Sequence, residues 1–425
     1  MEEKRKLKNG IVLYSYKNEA VHSFHLSLFL RAGSMYERKE ECGVTHFFEH
    51  IAIRNVNAVM GGRLYAMLDK AGIEFNASTY SEMVQFYATG ATKNFEVAAS
   101  AIAALFSPLK LKGAEIDMER KRIKAEIREL DDASSLSSFS QKCVWADTSL
   151  ARPIAGTLGG VSKINASTLE RFRRESFTKD NLFLYLTGNF TEEQIFYLAE
   201  LIGSCELYCA EARENYAPIP HNFGNRDGNI ALKNGDYTKL KFNFDIDMKS
   251  ASVPECDLLY EMLFGGYDSP FFIEMSEKRG LFYDLTGSIE RYRNIGVLSF
   301  SFEVRESDVY EAAELAVDIL NRYKSTTVSE DKCMKAGFVD NAKLLLDEPR
   351  ELNFTFAYDN HILNCGYSSV EERRAAYDAV SPEGLRAIAN EIFNVKNLTL
   401  AVKGKRKRLD LERLKNILSN LDKKD

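Results

Sequence analysis

The sequence of this chain contains a repeated segment, which indicates a duplicated fold. Residues 164–188 align without a gap against residues 380–404, and the alignment pairs Asn181 with Asn397. In each copy an amphipathic, helix-forming stretch is followed by an apolar, strand-like run that ends at glycine. Because self-similarity over such a length is typical of duplicated supersecondary units, the sequence predicts two copies of one fold.

A second, shorter similarity supports the duplication and helps to place the domains. Residues 70–72 (KAG) and 278–280 (KRG) each end an amphipathic stretch and precede strand-like residues. Between the copies, residues 206–227 combine proline and glycine with polar neighbours, as linkers do. We therefore predict a first domain at residues 1–205 and a second, homologous domain at residues 228–425.

The chain is long enough and apolar enough for more than one hydrophobic core. It has 425 residues, of which 45% are hydrophobic and 11% aromatic, and this length exceeds that of one ordinary domain. Strand patterns at 22–31, 239–247 and 296–304 mix with helix patterns at 95–106 and 309–323. This mixture predicts an α+β class, in which each domain packs helices against a largely antiparallel sheet.

The motif HFFEH is the strongest chemical signal in the sequence. On a helix, His46 and His50 lie one turn apart on the same face, with Glu49 beside them. Two imidazoles and a carboxylate suit Zn²⁺, whose catalytic sites use three protein ligands and leave a position for water. The chain has six histidines in 425 residues, so this spacing is rare by chance; the alternative is a pair of packed or surface histidines.

If Glu49 serves as the catalytic base, a third metal ligand has to come from elsewhere. Residues 115–130 predict a long amphipathic helix without glycine or proline. In it Glu119 and Glu126 lie seven residues apart and face the same way, and we predict Glu126 as the third ligand. The corresponding helix of the second copy, near 255–263, has no such motif and should not bind this metal.

The residues around the motif resemble those of a known family. Residues 31–37, 43–50 and 72–79 are similar to the strand, zinc helix and following strand of the inverted zinc-motif peptidases, typified by pitrilysin, insulin-degrading enzyme and the mitochondrial processing peptidase. Later segments at 152–156 and 180–188 extend the resemblance over almost the whole chain, which is most similar to the short, two-domain members. The family's fold implies a peptide chamber that is enclosed by two halves or two subunits.

The resemblance also implies roles for individual residues. Glu126 falls at the position of the family's distal zinc ligand, and Glu119 matches a supporting acid near the site. Asn76, Ala77 and Ser78 match an edge strand to which an extended peptide adds as a further strand. The alternative for these three residues is an ordinary edge strand with polar ends.

One expected substrate-binding residue is missing from the second half. The family places an arginine and a tyrosine, seven residues apart, near the substrate carbonyl; Tyr283 falls on the tyrosine position, but Ser276 stands where the arginine belongs. A serine hydroxyl cannot replace the fixed fork of guanidinium donors. Three explanations are open. Arg279 could reach across to the substrate carbonyl, or the chain could work with weaker support of that carbonyl. Alternatively, a homologous partner subunit could supply its own Arg-Tyr pair. We favour a heterodimer, with a homodimer as the alternative.

Composition narrows the remaining functional classes. A net charge of −6 and a pI near 5.8 argue against a nucleic-acid partner. The basic run at 403–408 (KGKRKR) is either a solvated turn before the last helix or a docking patch for an acidic partner. Seven cysteines without CxxC spacing indicate a reducing compartment. No signal-like segment or apolar run of membrane-spanning length occurs, so we predict a cytoplasmic protein without membrane contact.

Two functional hypotheses follow from these residues. The first is a zinc-dependent endopeptidase that hydrolyses extended peptides or leader segments, with Glu49 moving the proton of the attacking water. The second is a non-catalytic peptide-binding or scaffold subunit of a heterodimeric peptidase. The complete set of His46, His50, Glu49 and Glu126 favours the first hypothesis, and Ser276 favours the second.

Overall fold

The computed structural model describes residues 1–133, 135–146, 148–209, 219, 221, 223–265, 267–282, 284–325 and 337–422. Its strands are β1 (Glu2–Lys6), β2 (Val12–Lys17), β3 (Ser23–Leu30), β4 (Glu74–Thr79), β5 (Val84–Ala91), β6 (Leu182–Gly188), β7 (Asn229–Asn234), β8 (Thr238–Asp247), β9 (Leu285–Arg291), β10 (Ile295–Val304) and β11 (Leu398–Gly404).

The helices alternate with these strands in both halves of the chain, as predicted. They are α1 (Val44–Val59), α2 (Leu64–Ala71), α3 (Phe95–Ala104), α4 (Gly113–Ala133), α5 (Ser135–Val144), α6 (Leu158–Lys163), α7 (Ala166–Ser176), α8 (Glu192–Gly203), α9 (Val253–Phe264), α10 (Val309–Ser325), α11 (Gly337–Asp340), α12 (Pro349–His361), α13 (Val370–Asp378), α14 (Pro382–Ile392) and α15 (Leu411–Leu418). A turn of π-helix, Phe272–Glu277, precedes β9.

The described residues form two sheets with the same internal order. The first has the strand order β1-β2-β6-β3-β5-β4 and the second has β7-β11-β8-β10-β9. In the first sheet only β2 and β6 pair in parallel, and in the second only β7 and β11 do so. Removing the extra strand β1 makes the two sheets equivalent strand by strand, which confirms an α+β fold with two homologous, largely antiparallel domains.

The sequence repeat corresponds to one structural unit in each sheet. Helix α7 followed by β6 matches α14 followed by β11, and both helices begin after a residue whose side chain accepts a backbone N–H, Asn165 in one and Ser381 in the other. The shorter similarity also holds, since Gly72 before β4 and Gly280 before β9 both have positive φ, 61° and 58°. These left-handed positions suit glycine because it has no Cβ.

Contacts divide the chain into two compact units that are not continuous in sequence. Unit 1 comprises Met1–Ala133, Ser149–Ala217 and Lys343–Val370, and unit 2 comprises Ser134–Thr148, Pro218–Ala342 and Glu371–Asp425. The predicted domains differ from these units at two segments. Helix α12 packs on β3 and β6 in unit 1, and α5 packs on β11, β7 and β8 in unit 2. Each of these helices therefore belongs to the unit formed mainly by the other half of the chain, and a sequence pattern does not show this.

Unit 1 buries side chains on both faces of its sheet. On one face, Leu28 and Phe86 are fully buried with Phe47 and Ile51 of α1. On the other face, the described core contains Phe29, Phe183 and Tyr185 from the strands together with Leu352 and Phe356 of α12. Because β3 and β6 are covered on both faces, both strands are buried along almost their whole length, including the polar residues His25 and Ser27 of β3. This double covering holds the zinc-motif helix on a rigid sheet.

The histidines outside the motif occupy separate positions in the two units. His22 is exposed, whereas His25 on β3 is fully buried and its Nδ1 lies 2.7 Å from Thr89 Oγ1. His361 Nε2 lies 3.2 Å from a Glu2 carboxylate oxygen in unit 1, and His221 Nε2 lies 3.0 Å from Asp245 in unit 2. The described residues bring none of these four into a metal cluster.

Burial of His25 makes the stability of the protein depend on pH. Burial lowers the pKa of His25 from 6.5 to about 3, so in acid the unfolded chain takes up a proton that the folded chain excludes. The contribution of His25 to the free energy of unfolding is therefore complete above pH 6.5 and is lost as the pH falls. At pH 5 the free energy of unfolding should be lower by about 2 kcal/mol for this reason. Urea unfolding at pH 7.5 and 5.0 measures it; His25→Gln should show a smaller fall, and an equal fall in both proteins would contradict this assignment.

Two composition-based predictions can be compared with the described residues. No helix among them is long and apolar enough to cross a membrane. No disulfide is formed by the described cysteines, which are Cys42, Cys143, Cys205, Cys209, Cys256 and Cys365.

Candidate metal centre

The helix that carries the motif starts at a tightly built turn. Gly43, just before α1, has φ 99°, and a Cβ there would lie 2.9 Å from Gly156 Cα. Both carboxylate oxygens of Glu37 accept backbone N–H groups, from Gly43 at 2.8 Å and from Thr45 at 2.9 Å. An acidic acceptor at a helix N-terminus is favourable because it satisfies otherwise unpaired N–H groups. The position of His46 is thereby fixed by the turn that precedes it.

His46 and His50 lie next to each other on α1, as predicted. Their ring centroids are 4.7 Å apart, and His46 is only 8% exposed. The neighbouring side chains Phe47 and Ile51 are fully buried in the core, so the helix cannot rotate without exposing them. Burial, and to a smaller extent His50, lowers the pKa of His46 to about 4. His46 is therefore held in the neutral form that binds metals.

Helix α4 brings Glu126 to the two imidazoles. One carboxylate oxygen lies 3.5 Å from His46 Nε2 and the other 3.7 Å from His50 Nε2. One ligand atom from each residue can be chosen so that all three lie within 4.8 Å of one another. Ligands that bind one tetrahedral zinc at 2.0–2.2 Å are separated by about 3.5 Å. The donor set and its spacing therefore fit a single Zn²⁺.

Glu119 lies on the side of His50 that faces away from Glu126. Its carboxylate is 3.3 Å from His50 Nδ1, accepts a hydrogen bond from Arg54 Nη1 at 2.7 Å, and is 3.6 Å from Arg122 Nη1. The residue is only 3% exposed. A carboxylate bonded to one ring nitrogen fixes the histidine tautomer and leaves the other nitrogen for the metal. These contacts would allow the supporting role that the resemblance implies for Glu119, and that role stays a prediction.

Replacing Glu119 by glutamine should weaken zinc binding without removing a ligand. The amide lacks the negative charge that orients His50 and that pairs with Arg54, and loss of such an outer partner typically costs about 10- to 100-fold in metal affinity. Competition for zinc with a chromophoric chelator measures the change. An unchanged zinc affinity would show that Glu119 serves only the ion pair with Arg54.

Glu49 lies between α1 and the edge of the sheet. It is 9% exposed, and its carboxylate accepts a hydrogen bond from Thr79 Oγ1 at 2.5 Å. Burial raises the pKa of Glu49, whereas the hydroxyl of Thr79 lowers it in part. A carboxyl group whose pKa is raised by burial is better suited to accept a proton and return it.

The segment predicted to bind substrate is an edge strand. Strand β4 pairs only with β5 among the described residues and ends the first sheet. The Tyr80 N–H donates a hydrogen bond to the Met83 carbonyl at the turn between β4 and β5. Hydrogen-bonded positions alternate along an antiparallel pair, so the main-chain N–H and C=O groups of Ala77 point away from β5. The Ala77 N–H is bonded to Asn76 Oδ1 at 2.9 Å. Ser78 lies one residue before Thr79, which contacts Glu49.

The structure describes only part of the segment for which the resemblance implies a carbonyl-binding Arg-Tyr pair. Tyr283 lies outside the described residues. The Ser276 hydroxyl donates to the Phe282 carbonyl at 3.2 Å, so it serves the turn before β9. Arg279 is exposed and lies 3.4 Å from Glu311 on α10. Arg279 thus contacts Glu311, whereas the sequence left open that it reaches across to the substrate carbonyl.

Three residues that the sequence did not assign contribute to this site. Arg54 follows His50 by four residues, so helix periodicity could have placed it beside Glu119. Thr79 and Glu37 gave no such signal. Thr79 meets Glu49 only because β4 lies against α1, and Glu37 meets α1 only because the intervening loop folds back.

The fold and the site together define a zinc metallopeptidase-type architecture, and comparison with known proteins agrees. A family described as "Insulinase (Peptidase family M16)" matches residues 12–158, and one described as "Peptidase M16 inactive domain" matches residues 163–336. The chain belongs to peptidase family M16. This membership confirms the resemblance that the sequence motifs indicated.

Relatives and solved structures extend over nearly the whole chain. An "Uncharacterized zinc protease" of Rickettsia felis is 25% identical over 404 residues, covering 92% of this chain and 94% of that protein. The protein YmxG of Bacillus subtilis, with the same description, is 21% identical over 389 residues, covering 91% and 94%. A protease from Helicobacter pylori shares the fold with a TM-score of 0.83 at 17% identity, covering 95% of this chain and 99% of that one.

Proposed function

We propose that this protein is a zinc-dependent endopeptidase that hydrolyses extended peptides. The observation that supports this most directly is the convergence of His46, His50 and Glu126 from two helices, with Glu49 beside them. His46, His50 and Glu126 would hold the ion. When bound, zinc would lower the pKa of a coordinated water and polarise the scissile carbonyl.

Glu49 is the group that moves protons in this proposal. Its buried carboxylate accepts a proton from the attacking water and returns it to the departing amine, so the same residue acts as base and then as acid. Thr79 holds this carboxylate through its hydroxyl. Glu119 keeps the His50 ring oriented throughout.

The substrate would bind along the free edge of β4. The outward main-chain groups of Ala77 can bond to an extended peptide, whose carbonyl would replace Asn76 Oδ1 as the acceptor of the Ala77 N–H. Main-chain bonding of this kind requires little sequence identity in the substrate. Because Thr79 at the end of β4 contacts Glu49, the added strand would run past the catalytic carboxylate.

Zinc analysis combined with a peptidase assay tests the proposal. We expect one zinc per chain after purification, cleavage of a quenched fluorescent peptide, and loss of cleavage with a chelator that is reversed by added zinc. A protein that binds zinc stoichiometrically but cleaves no peptide, alone or with a homologous chain, would refute the enzymatic function.

A second candidate function is that of a subunit in a two-chain peptidase. Ser276, which bonds to the Phe282 carbonyl, gives no guanidinium where the family uses one. The periplasmic protease PqqL of Escherichia coli shares the fold with a TM-score of 0.80 at 16% identity, and this chain covers 50% of its length. We propose that a homologous partner subunit supplies the missing Arg-Tyr pair, as a heterodimer or, alternatively, a homodimer.

The activity of the isolated chain tests the partner proposal. If a partner supplies the pair, the purified chain should cleave peptide weakly, and Ser276→Arg should increase kcat/KM because it restores a carbonyl-binding guanidinium. Sedimentation measures whether the chain is a monomer or a homodimer. Strong cleavage by a monomer, without any gain from S276R, would rule out the need for a partner.

A further inference from the structure

Strand β1 forms a free end of the first sheet. In the order β1-β2-β6-β3-β5-β4, β1 and β4 lie at opposite ends, and among the described residues β1 pairs only with β2. Its last four residues, 3–6, are exposed. An edge strand of this kind presents main-chain N–H and C=O groups to which a further strand can add. The first sheet therefore has a second open edge besides β4.

The turn between β1 and β2 shows which main-chain groups of β1 are used inside the sheet. The Leu7 N–H donates to the Ile11 carbonyl at 2.8 Å, at the turn end of the β1–β2 register. Hydrogen-bonded pairs alternate with non-bonded pairs along an antiparallel ladder. The main-chain groups of Glu3 and Arg5 therefore bond to β2.

The alternate residues of β1 turn their main-chain groups outward. Lys4 and Lys6 each present an N–H and a C=O at the free edge. Glu2 has the same orientation, and its N–H donates to the Ser368 carbonyl at 2.6 Å. An added strand can therefore bond to the carbonyl of Glu2 but not to its N–H.

The charges of β1 are separated by sign along the strand. Residues 2–6 read EEKRK, with the acids first and the bases last. When a second copy of β1 lies antiparallel with the two Lys4 residues opposite each other, Glu3 is opposite Arg5 and Glu2 is opposite Lys6. This arrangement also sets the outward main-chain groups of the two strands against each other, as a hydrogen-bonded ladder requires. Opposite charges in such cross-strand pairs stabilise a sheet.

Other arrangements of two β1 strands bring like charges together. A shift by two residues puts either Arg5 opposite Arg5 or Glu3 opposite Glu3, and a parallel pair in register puts every charge opposite its like. Charged residues commonly protect an edge strand from pairing. In β1 this protection fails for one partner, an antiparallel strand of the same sequence.

Glu3 and Arg5 supply most of this complementarity. Glu3 is exposed, and Arg5 is 3.9 Å from Glu192 on α8, so a contact with a second copy competes only with this long ion pair. The Glu2 carboxylate, in contrast, already accepts a hydrogen bond from Tyr185 in its own chain. The two Glu3–Arg5 pairs outweigh the single pair of lysines at the centre.

Two exposed aromatic rings lie beside β1 on one face of the sheet. Phe196 and Tyr197 of α8 are 62% and 36% exposed and line a groove together with Arg5. Arg5 is opposite Leu13, which packs in the same core as Ile195 of α8. A two-fold axis perpendicular to the sheet keeps both copies of α8 on this face. Adjacent exposed apolar side chains with a charged rim are typical of an interaction surface.

We propose that β1 and the aromatic pair of α8 form the interface of a homodimer, in which two β1 strands pair antiparallel about a two-fold axis at Lys4. Four main-chain bonds would join the copies, from Lys4 N–H to the Lys4 carbonyl and from Lys6 N–H to the Glu2 carbonyl, each in both directions. Because each copy uses the same surface, the assembly closes at two chains.

This interface is separate from the contact with a homologous subunit that would supply an Arg-Tyr pair. Strands β1 and β4 are five strand spacings apart, or about 24 Å, so pairing at β1 leaves the β4 edge open. The dimer requires neither zinc nor peptide cleavage, and its test needs no catalysis.

Exchanging the charges of β1 tests the proposed pairing. Sedimentation of the full chain over a concentration series should show a dimer. Glu3→Arg puts arginine opposite arginine, and Arg5→Glu puts glutamate opposite glutamate, so each should weaken the dimer about tenfold. The double variant E3R/R5E restores opposite charges and should dimerise like the native chain. A mixture of E3R with R5E should form a mixed dimer.

Two further variants test the main-chain bonds and the aromatic pair. Lys4→Pro removes an N–H that points away from β2, so it should prevent dimer formation while the unfolding temperature stays nearly unchanged. Phe196→Ser with Tyr197→Ser should also weaken the dimer. Tyr65→Ser changes an exposed tyrosine of α2 and serves as the matched control, which should dimerise normally.

Three results would overturn the proposal. The first is a native chain that stays monomeric at about 0.1 mM, where even a weak specific dimer is populated. The second is a dimer of unchanged strength in both E3R and R5E, because the contact would then lie elsewhere. The third is a double variant E3R/R5E that keeps the native unfolding temperature but remains as weakly associated as the single variants.

Discussion

Glu49→Gln should abolish peptide cleavage while zinc remains bound. The amide keeps the shape of the side chain and can still meet the Thr79 hydroxyl, but it cannot accept a proton from water. Loss of a general base typically reduces the rate by about 10²- to 10⁴-fold. Steady-state cleavage of a quenched peptide, measured beside metal content, shows both effects in one preparation.

A second variant distinguishes loss of the base from general damage. Thr79→Val removes only the hydroxyl that holds Glu49, so it should lower kcat by less than Glu49→Gln and leave zinc content unchanged. If E49Q retained most of the native activity, Glu49 would not be the base. If E49Q lost zinc, the carboxylate would instead contribute to the metal site.

The sequence was most informative where the chemistry depends on local spacing. His46 and His50 share a helical face through their separation of four residues, and α1 places them as expected. The duplicated unit could also be predicted, since α7 with β6 and α14 with β11 each combine a helix, a cap and a strand within 25 residues. In both cases the deciding contacts lie close together along the chain.

The sequence was least informative where the contacts join distant segments. Thr79 reaches Glu49 only after β4 has taken its place at the edge of the sheet. The assignment of α5 to unit 2 and of α12 to unit 1 depends on which sheet face remains uncovered. The spacing of apolar residues along the chain does not reveal which face that is.

Glu126→Ala should remove zinc from the protein with little effect on folding. The carboxylate is the predicted third ligand, so its loss should lower zinc affinity by more than the roughly 10- to 100-fold typical of an outer partner. Its side chain is 39% exposed and lies beside two imidazoles, so its removal creates no buried cavity. Metal analysis after dialysis measures the loss, and thermal unfolding in chelator should be nearly unchanged.

Glu129 supplies the matched control for this experiment. It is an exposed glutamate on the same helix, three residues farther along, so Glu129→Ala makes the same change in charge and side-chain size on α4. Because α4 presents Glu126 but not Glu129 to the histidines, E129A should retain native zinc content and cleavage. If E126A kept its zinc, then His46 and His50 would bind it with a different third group. If E129A lost zinc as well, the effect would come from the charge of α4 and not from direct ligation.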